Sequence, residues 1–338
     1  MARVTVLMPA YNVEKYIKEA IESMLNQTFS DFILMVLDDC STDNTAQVVA
    51  SFDDKRIKYI KHNSNLGLAD NLNRGVELAD TEYLARMDGD DISVPNCLEK
   101  QIQFLDTHPE IGICSVGFKF FGTKSTQILF PEHYEDIKAE QLFGNSIILP
   151  MFRRNIFIDN NLRYKTSAFP AEDYRMWSEA LKVTPAYNFQ EVMFYYRMHP
   201  EQISTEKRNA QIEKSNEVRL YMLDWLSPDF SEEDKQYFVD KFVPGELDSV
   251  QDLKSMVNFS KLMIKENNKY RQFSSKAIKK RFDKHFSLSV YHFSLRSFFS
   301  KDYSLQSFLK FLMSGTSTYL NSKLLFKIFV KCVLNKRK

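Results

Sequence analysis

The stretch Tyr83-Leu84-Ala85-Arg86-Met87-Asp88-Gly89-Asp90-Asp91 decides how the rest of the sequence is interpreted. Its first half has the apolar character of a buried strand, and the next four residues contain three carboxylates. Acidic side chains this close repel one another and are costly to bury unless a cation compensates them. Because hard oxygen ligands suit Mg²⁺ and Mn²⁺, the stretch predicts a divalent metal site at a strand end. A solvated acidic turn is the alternative.

The composition is that of an ordinary globular protein. The chain has 338 residues, of which 44% are hydrophobic and 26% charged, so wholesale disorder is not expected. This length suits one large domain and a smaller one. The four cysteines form no CxxC pair, which argues against a zinc site or a disulfide framework and fits a reducing cytoplasm. We expect neither a signal peptide nor a membrane-spanning helix.

The net charge of +1 hides a strong asymmetry between the two ends of the chain. Residues 271–338 contain fifteen Lys and Arg against two Asp and Glu, a balance of +13. Residues 1–270 therefore carry −12. This pattern predicts an acidic body with a basic tail that meets something anionic.

Short apolar runs alternate with helical periodicity through the first ninety residues. The runs predict strands at 3–8, 32–37, 57–61 and 83–87, and helices at 13–27, 45–51 and 68–79. This alternation predicts an α/β fold with a mixed, mostly parallel sheet flanked by helices. Further strands are expected at 111–121, 146–152 and 189–196, and a helix at 171–181. The later chain is helical, so we predict domains at 1–220 and 221–338.

Polar clusters follow three of the predicted strands. They are Pro9-Ala10-Tyr11-Asn12, Asp38-Asp39 and Asp88-Gly89-Asp90-Asp91. Ligands of open α/β sheets bind outside the carboxyl ends of the strands. The three clusters therefore predict one ligand site at a single sheet edge.

Six motifs together resemble the family 2 glycosyltransferases of the GT-A fold. In order they are PAYN (9–12), DDCSTDNT (38–45), NLGLADNLNRG (65–75), ARMDGDD (85–91), AEDYRMW (171–177) and YYRMH (195–199). The resemblance covers roughly residues 3–205. It implies a Rossmann-like GT-A domain, a nucleotide-sugar donor, a divalent cation and inversion at the anomeric carbon.

The donor residues follow from this resemblance. Tyr11 and Asp39, at adjacent strand ends, can supply an aromatic wall and a hydrogen-bond acceptor for a uracil. Pro9 belongs to the same segment as Tyr11, and Asn65 belongs to a loop that lies near the donor in relatives. An ordinary loop aromatic is the alternative for Tyr11, and a turn cap is the alternative for Asp38.

The same resemblance assigns the acidic cluster. Asp88 resembles the ribose-binding carboxylate of the family's DxD motif and Asp90 the ligand of Mn²⁺ or Mg²⁺. Asp91 is expected to assist directly or through water, and His199 to act as a further metal or phosphate ligand, with a structural histidine as the alternative. Arg86 either neutralises a phosphate or forms a structural ion pair.

The catalytic base is expected at Glu172-Asp173. Both open a predicted helix whose N-terminal partial charge should keep them ionised. The resemblance favours Asp173 as the base in a single displacement through an oxocarbenium-like transition state, with Glu172 as a rival. First-turn acids without a catalytic role are the alternative. Arg153 and Arg154 are candidates for contact with an acceptor phosphate.

The basic tail has the pattern of an interfacial helix. Lys323, Lys327 and Lys331 fall on one helical face, and the residues between them are apolar. We expect residues 271–338 to contact an anionic membrane surface. Packing on the catalytic body or a second subunit is the alternative. No nucleic-acid motif accompanies the charge.

These observations predict a metal-assisted hexosyl- or N-acetylhexosaminyltransferase. The expected donor is a UDP-sugar, and the expected acceptor is a saccharide or lipid-linked oligosaccharide in capsule, lipopolysaccharide or other surface polysaccharide synthesis. The enzyme would be cytoplasmic, peripheral on the inner face of the cell membrane, with an oligomer possible. An inactive glycosyltransferase-like scaffold is one alternative. A sugar nucleotidyltransferase is another, although PAYN lacks the Gly-rich basic loop usual there.

Overall fold

The computed structural model describes residues 2–122, 125–298, 305–315, 317 and 322–333. The chain divides into two compact units, Met1–Arg219 and Leu220–Lys338. The predicted boundary between residues 220 and 221 lies one residue from this division. Lys301, Lys336, Arg337 and Lys338, which contribute to the basic tail, lie outside the described residues.

The described part of the first unit contains one nine-stranded sheet. Its strands are β1 (Val4–Ala10), β2 (Phe32–Asp38), β3 (Ile57–Lys61), β4 (Tyr83–Arg86), β5 (Ile92–Ser93), β6 (Ile113–Gly122), β7 (Gln127–Ile128), β8 (Met151–Arg153) and β9 (Ala186–Met198). The order is β3-β2-β1-β4-β8-β6-β9-β5, with β7 paired to β6. Strands β1 to β4 are mutually parallel, whereas β8 runs antiparallel to β4 and β6. The mixed, mostly parallel sheet is therefore confirmed.

Helices connect these strands. They are α1 (Ile17–Leu25), α2 (Thr45–Ala50), α3 (Leu68–Leu78), α4 (Cys97–Thr107), α5 (Tyr134–Gln141), α6 (Arg154–Asp159), α7 (Glu172–Ala180), α8 (Ile203–Glu206) and α9 (Arg208–Leu226). In β1, the neighbouring residues Val6 and Leu7 are both fully buried. Successive strand residues face opposite sides of a sheet, so both faces of β1 are covered, as expected for a parallel sheet.

Two predicted elements are shorter than the sequence pattern indicates. Helix α1 starts at Ile17 rather than Val13, and the Val13 and Glu14 amides before it donate to Thr45 Oγ1 at the start of α2 and to Asp43 Oδ2 in the loop after β2. The strand predicted over 146–152 is reduced to β8. The amides of residues 146, 147 and 148 instead donate to side-chain oxygens of Gln141, Asn145 and Ser115. Over 146–148, side chains thus satisfy amides that a regular strand would otherwise use.

The carboxyl ends of β1, β2 and β4 lie side by side. In the sheet register, Ala10 pairs with Asp38, and Leu7 pairs with Arg86. The loop after β4 passes over the end of β1, since a Cβ added at Gly89 would stand 3.2 Å from the Pro9 carbonyl oxygen. We call Asp88-Gly89-Asp90-Asp91 the acidic loop. A larger residue at position 89 would push this loop away from β1.

The second unit is helical throughout its described residues, as predicted. It contains α10 (Glu232–Tyr237), a π-helical segment (Phe238–Phe242), α11 (Val250–Tyr270), α12 (Ser275–Phe298), α13 (Leu305–Met313) and α14 (Ser322–Val333). Capping boxes at Ser231 and Ser249 begin α10 and α11. Within the residues described, none of the helices combines the length and apolarity needed to cross a bilayer.

One buried amide supports the strand end that carries the site. Asn71 in α3 donates from Nδ2 to the Leu37 carbonyl oxygen over 2.8 Å, and its Oδ1 lies 2.9 Å from His62 Nε2. We expect Asn71→Ala to lower the free energy of unfolding by ~1–3 kcal/mol, because a buried carbonyl loses its donor. Urea denaturation measures this change.

The control is Asn63→Ala, since Asn63 is exposed in the turn after β3. This control should unfold at the same urea concentration as the wild type. Equal midpoints for both variants would contradict a structural role for Asn71.

Candidate active site

The two aspartates after β2 hold the loops around them. Asp38 is fully buried, its Oδ1 accepts from the Ser41 amide over 2.8 Å, and its other oxygen accepts from the Tyr59 hydroxyl. The turn-cap alternative therefore describes Asp38. The Asp39 carboxylate accepts from the amides of Leu66 over 2.7 Å and Gly67 over 2.9 Å.

These contacts gather the predicted donor residues at one edge. The Asp39 amide donates to the Ala10 carbonyl oxygen over 2.9 Å, and Asn65 Nδ2 donates to the Asp39 carbonyl oxygen over 3.3 Å. Tyr11 lies beside them with half of its surface exposed. Each Asp39 oxygen already accepts one hydrogen bond and keeps a second lone pair for a ligand. Asp39 thus orders the Asn65 loop before any ligand arrives.

Arg86 forms an ion pair with Asp88. Its Nε lies 2.9 Å from Asp88 Oδ1, and its Nη2 lies 3.3 Å from Asp88 Oδ2. Burial alone would lower the pKa of Arg86, but the charges of Asp88, Asp173 and Glu172 raise it well above its ordinary value. The Arg86 guanidinium, 11% exposed, therefore pairs with the acidic loop and is close enough to the start of α7 for the charges there to raise its pKa, although the sequence separates the two by more than eighty residues.

Asp90 is paired with His199. The distance from Asp90 Oδ2 to His199 Nε2 is 3.0 Å, and the imidazole packs on the ring of Tyr16. His199 Nδ1 is buried and has no hydrogen-bond partner in the part of the chain that is described. Burial and the charge of Asp88 raise the pKa of Asp90, while His199 opposes the rise.

Asp91 fastens the end of β9 to the acidic loop. It is buried, and its Oδ1 accepts from the Arg197 amide over 2.8 Å. Arg197 Nε in turn donates to the Asp90 carbonyl oxygen over 2.8 Å. Burial and the charges of Asp90 and Asp88 raise the pKa of Asp91 well above its usual range. These two contacts place His199, two residues further on, against Asp90.

The acidic cluster fits a cation only together with a ligand. Across the described ranges, no group of three or more His, Cys, Asp or Glu side chains is arranged to hold a metal ion. Asp90 and His199 offer two suitable donor groups, a carboxylate and an imidazole. Mg²⁺ is commonly held by one or two carboxylates with substrate phosphates completing its shell. Asp90 and His199 therefore match the protein ligands of such a site, whose remaining ligands would be substrate phosphates.

Glu172 and Asp173 begin α7 in different surroundings. Asp173 is partly accessible, and its oxygens accept from Asn145 Nδ2 over 3.0 Å and from the Tyr174 amide over 2.6 Å. Glu172 is 4% exposed, and its Oε2 has no partner among the described residues. The expectation that the helix N-terminus keeps both ionised stays a prediction, and the burial of Glu172 opposes it. Burial and the Asp173 charge raise its pKa to about 7, and Arg86 opposes them only in part; burial also raises the pKa of Asp173.

Sequence reasoning missed two residues of this site, Asn145 and Tyr164. Tyr164 is buried near Arg86, and its hydroxyl has no partner in the described chain. Asn73 Nδ2 donates to the Tyr164 carbonyl oxygen over 2.8 Å, and the Tyr164 amide donates to Asn73 Oδ1 over 2.9 Å. Both missed residues lie outside the six motifs, and no local pattern distinguishes them.

Arg153, predicted to contact an acceptor phosphate, lies in a network of internal hydrogen bonds. Its guanidinium donates to the carbonyl oxygens of Ile111, Leu105 and His108 and to the Tyr83 hydroxyl. These contacts use four of its five N–H donors, which favours a structural role. Arg153 therefore ties β8 to the end of α4.

Comparisons with known proteins identify the family. The model described as Glycosyl transferase family 2 matches residues 5–176. A Haemophilus influenzae protein named an uncharacterized glycosyltransferase is 31% identical over 231 residues, 64% of this chain and 72% of that protein. The Escherichia coli protein named UDP-Glc:alpha-D-GlcNAc-diphosphoundecaprenol beta-1,3-glucosyltransferase WfaP is 28% identical over 223 residues, 65% of this chain and 86% of that protein.

Solved structures agree at the level of the fold. TarS from S. aureus, in complex with UDP-GlcNAc, aligns with a TM-score of 0.58 and 21% identity, covering 86% of this chain and 87% of that one. The mannosyltransferase PcManGT from Pyrobaculum calidifontis, in complex with GDP-Man and Mn²⁺, aligns with a TM-score of 0.51 and 15% identity, covering 99% and 88%. The predicted GT-A fold is confirmed, and the chain belongs to glycosyl transferase family 2.

Proposed function

We propose that this protein is an inverting glycosyltransferase that moves a hexosyl or N-acetylhexosaminyl group from a UDP-sugar to a saccharide or lipid-linked saccharide in surface polysaccharide synthesis. The observation that carries the proposal is the geometry of the loop after β4, where Arg86 Nε lies 2.9 Å from Asp88 Oδ1 and Asp90 Oδ2 lies 3.0 Å from His199 Nε2. We place the anomeric carbon of a sugar nucleotide bound at this loop near Asp173, whose charge, with those of Asp88 and Glu172, raises the pKa of Arg86. The UDP-dependent activity in the name of the E. coli relative, and the UDP-GlcNAc bound to TarS, support this donor class.

The donor would lie along the carboxyl ends of β1, β2 and β4. Tyr11 and Pro9 would form one wall of the nucleobase pocket, with Asp39 accepting a hydrogen bond from the base. Asn65 would border the pocket through the loop that Asp39 orders. Asp88, oriented by Arg86, would accept from the ribose hydroxyls.

Asp90 and His199 would hold a Mn²⁺ or Mg²⁺ ion against the diphosphate. When bound, this ion would neutralise charge on the leaving group. Asp91 would contribute by positioning, because its buried carboxylate holds the Arg197 amide. His199 is also a candidate phosphate ligand through its unpartnered Nδ1.

Asp173 would act as the base, with Glu172 beside it as a buried and more readily protonated group. A base must come within hydrogen-bond reach of the acceptor hydroxyl. Asp173 is partly accessible and oriented by Asn145, whereas Glu172 is nearly enclosed. Asp173 would take the hydroxyl proton as that oxygen bonds to the anomeric carbon from the face opposite the nucleotide, while the bond from that carbon to the β-phosphate oxygen breaks and UDP leaves with the electron pair. Arg86 would remain charged throughout and offset the negative charge around it.

The second unit supplies a surface suited to a membrane. Apolar side chains on α13 and α14 are exposed, among them Met313 (86%), Phe326 (65%) and Leu309 (59%), although Phe311 and Ile328 pack inside. Exposed lysines accompany them, including Lys310, Lys323 and Lys327. We assign this face to the anionic surface of the inner membrane leaflet, where a lipid-linked acceptor would be presented.

Loss of the Asp90 carboxylate should abolish donor turnover. In nucleotide-release assays with UDP- and GDP-sugars and Mn²⁺, we expect Asp90→Asn to reduce the rate by about 100-fold or more, because the diphosphate charge loses its stabilisation. The variant should also lose the Mn²⁺-dependent part of the thermal shift produced by UDP.

Asp53→Asn is the matched control, because Asp53 is an exposed acid between α2 and β3. Full turnover by Asp90→Asn would exclude the proposed role of Asp90. If the wild type neither turns over a donor nor shifts with any nucleotide, the inactive-scaffold alternative takes precedence.

Substitutions of the two α7 acids should separate their roles. Asp173→Asn should lower kcat for transfer by about 100-fold or more while leaving the affinity for UDP unchanged, because only proton removal is lost. Glu172→Gln should retain most of kcat. The reverse pattern would make Glu172 the base.

Thermal unfolding gives an independent test of Glu172. Its folded-state pKa of about 7 lies above the ordinary 4.5, so its contribution is most favourable at low pH and is lost as pH rises through 7. Glu172→Gln should therefore raise Tm near pH 8 by several degrees, and by less near pH 5. An equal change at both pH values would contradict the raised pKa.

The membrane assignment predicts which surface residues matter. The double variant Phe326→Ser/Met313→Ser should lower binding to phosphatidylglycerol vesicles by about tenfold or more, because two exposed apolar side chains no longer insert. Co-sedimentation measures the bound fraction. Ile212→Ser, which changes an exposed apolar residue of the first unit, should bind as the wild type does. Unchanged binding by the double variant would rule out this face.

A further inference from the structure

The first unit contains a pocket whose lining includes none of the predicted donor or metal residues. Its volume is about 370 Å³, and its strand-side wall consists of Phe118, Phe120, Tyr196 and Met198 from β6 and β9. Ser204, Thr205 and Arg208 from the α8–α9 segment complete the lining. We call this the aromatic pocket. Its volume and its mostly apolar lining with a few polar groups are typical of small-molecule sites.

Three rings form the floor of the aromatic pocket. Phe118 and Phe120 meet edge to face with centroids 5.0 Å apart, and Phe120 and Tyr196 do so at 5.4 Å. Neighbouring rings therefore hold one another at nearly right angles. Phe120 and Tyr196 are only partly buried. Such rings offer flat apolar faces to the C–H groups of a sugar.

The polar side of the aromatic pocket carries hydrogen-bond groups. Ser204 Oγ accepts from Gln202 Nε2 over 2.6 Å and stands 3.2 Å from the Tyr196 hydroxyl. Arg208 is exposed and makes no ion pair within the described chain. Hydroxyls and a free guanidinium suit the oxygens of a saccharide, whereas an isoprenoid or acyl chain would leave them unsatisfied.

One segment joins the aromatic pocket to both halves of the active site. Gln202 Oε1 accepts from the amide of His199, which faces Asp90. On the other side of Arg208, Gln211 Nε2 donates over 3.1 Å to the carbonyl oxygen of Pro170, two residues before Glu172. Ser204, Thr205 and Arg208 therefore lie in the chain between Gln202, which contacts His199 beside the acidic loop, and Gln211, which contacts Pro170 just before α7.

We propose that the aromatic pocket is an acceptor subsite that binds a pyranose unit of the acceptor saccharide, adjacent to the unit that receives the new sugar. This proposal rests on the proposed glycosyl transfer and assigns the acceptor a saccharide of at least two units. The rings supply stacking area, Ser204 and Thr205 supply hydroxyl contacts, and Arg208 selects for oxygen-rich or acidic substituents.

Saccharide binding to the full-length protein tests the proposal. The probes are cellobiose, lactose and N,N′-diacetylchitobiose, observed by saturation-transfer NMR in the presence of UDP and Mn²⁺. At least one disaccharide should bind, and Phe120→Ala should weaken it by about fivefold to tenfold. Arg208→Ala, which changes an exposed residue and should not disturb folding, should weaken it by about threefold or more.

UDP binding by the same proteins keeps the two proposals distinguishable. Phe120→Ala should bind UDP as the wild type does, whereas Tyr11→Ala should lose UDP affinity and keep the disaccharide. Failure of the wild type to bind UDP, with disaccharide binding intact, would count against the donor site alone. Absence of disaccharide binding, or binding insensitive to both pocket substitutions, would overturn the acceptor subsite. Binding of farnesyl phosphate that depends on Phe120, without any disaccharide binding, would also overturn it.

Discussion

The compensation of crowded carboxylates by one buried guanidinium is the constraint on which the site depends. Arg86 pairs with Asp88 and feels the charges of Glu172 and Asp173. Removing that charge would leave several acids near one another in a partly desolvated edge of the sheet, which is far more costly than the loss of one exposed ion pair. The cation at the end of β4 therefore offsets negative charge from both the acidic loop and the start of α7.

The acids of the motifs divide into two groups by their partners. Asp38, Asp39 and Asp91 accept hydrogen bonds from main-chain amides of neighbouring loops and so build the edge of the site. Asp90 instead contacts the side chain of His199, and within the described chain no amide of another segment donates to it. An acid paired only with a side chain can exchange that partner for a ligand. Asp39 combines both roles, because each of its oxygens accepts one amide and keeps a second lone pair that the proposed nucleobase contact would use.

Much of the fold follows from local patterns, and its exceptions have specific physical causes. The apolar run 57–61 is β3 with the expected bounds, and the alternation through residue 87 yields the expected parallel strands. The patterns fail where side chains replace backbone partners, as at Ile148. For Glu172, helix position favours an ionised acid, whereas burial, which depends on distant residues, raises its pKa.

The proposed donor site and the proposed acceptor site differ in how readily sequence patterns reveal them. A diphosphate requires clustered carboxylates and cations, and a DGDD after an apolar strand stands out because acids are rare in such surroundings. A saccharide requires aromatic faces and hydroxyls, and Phe118 and Phe120 look like ordinary residues of a buried strand. Only the pairing of β6 with β9 brings Phe120 opposite Tyr196 and leaves their rings at a cavity. On the proposed assignment, acceptor recognition depends on this tertiary pairing, which a sequence pattern does not reveal.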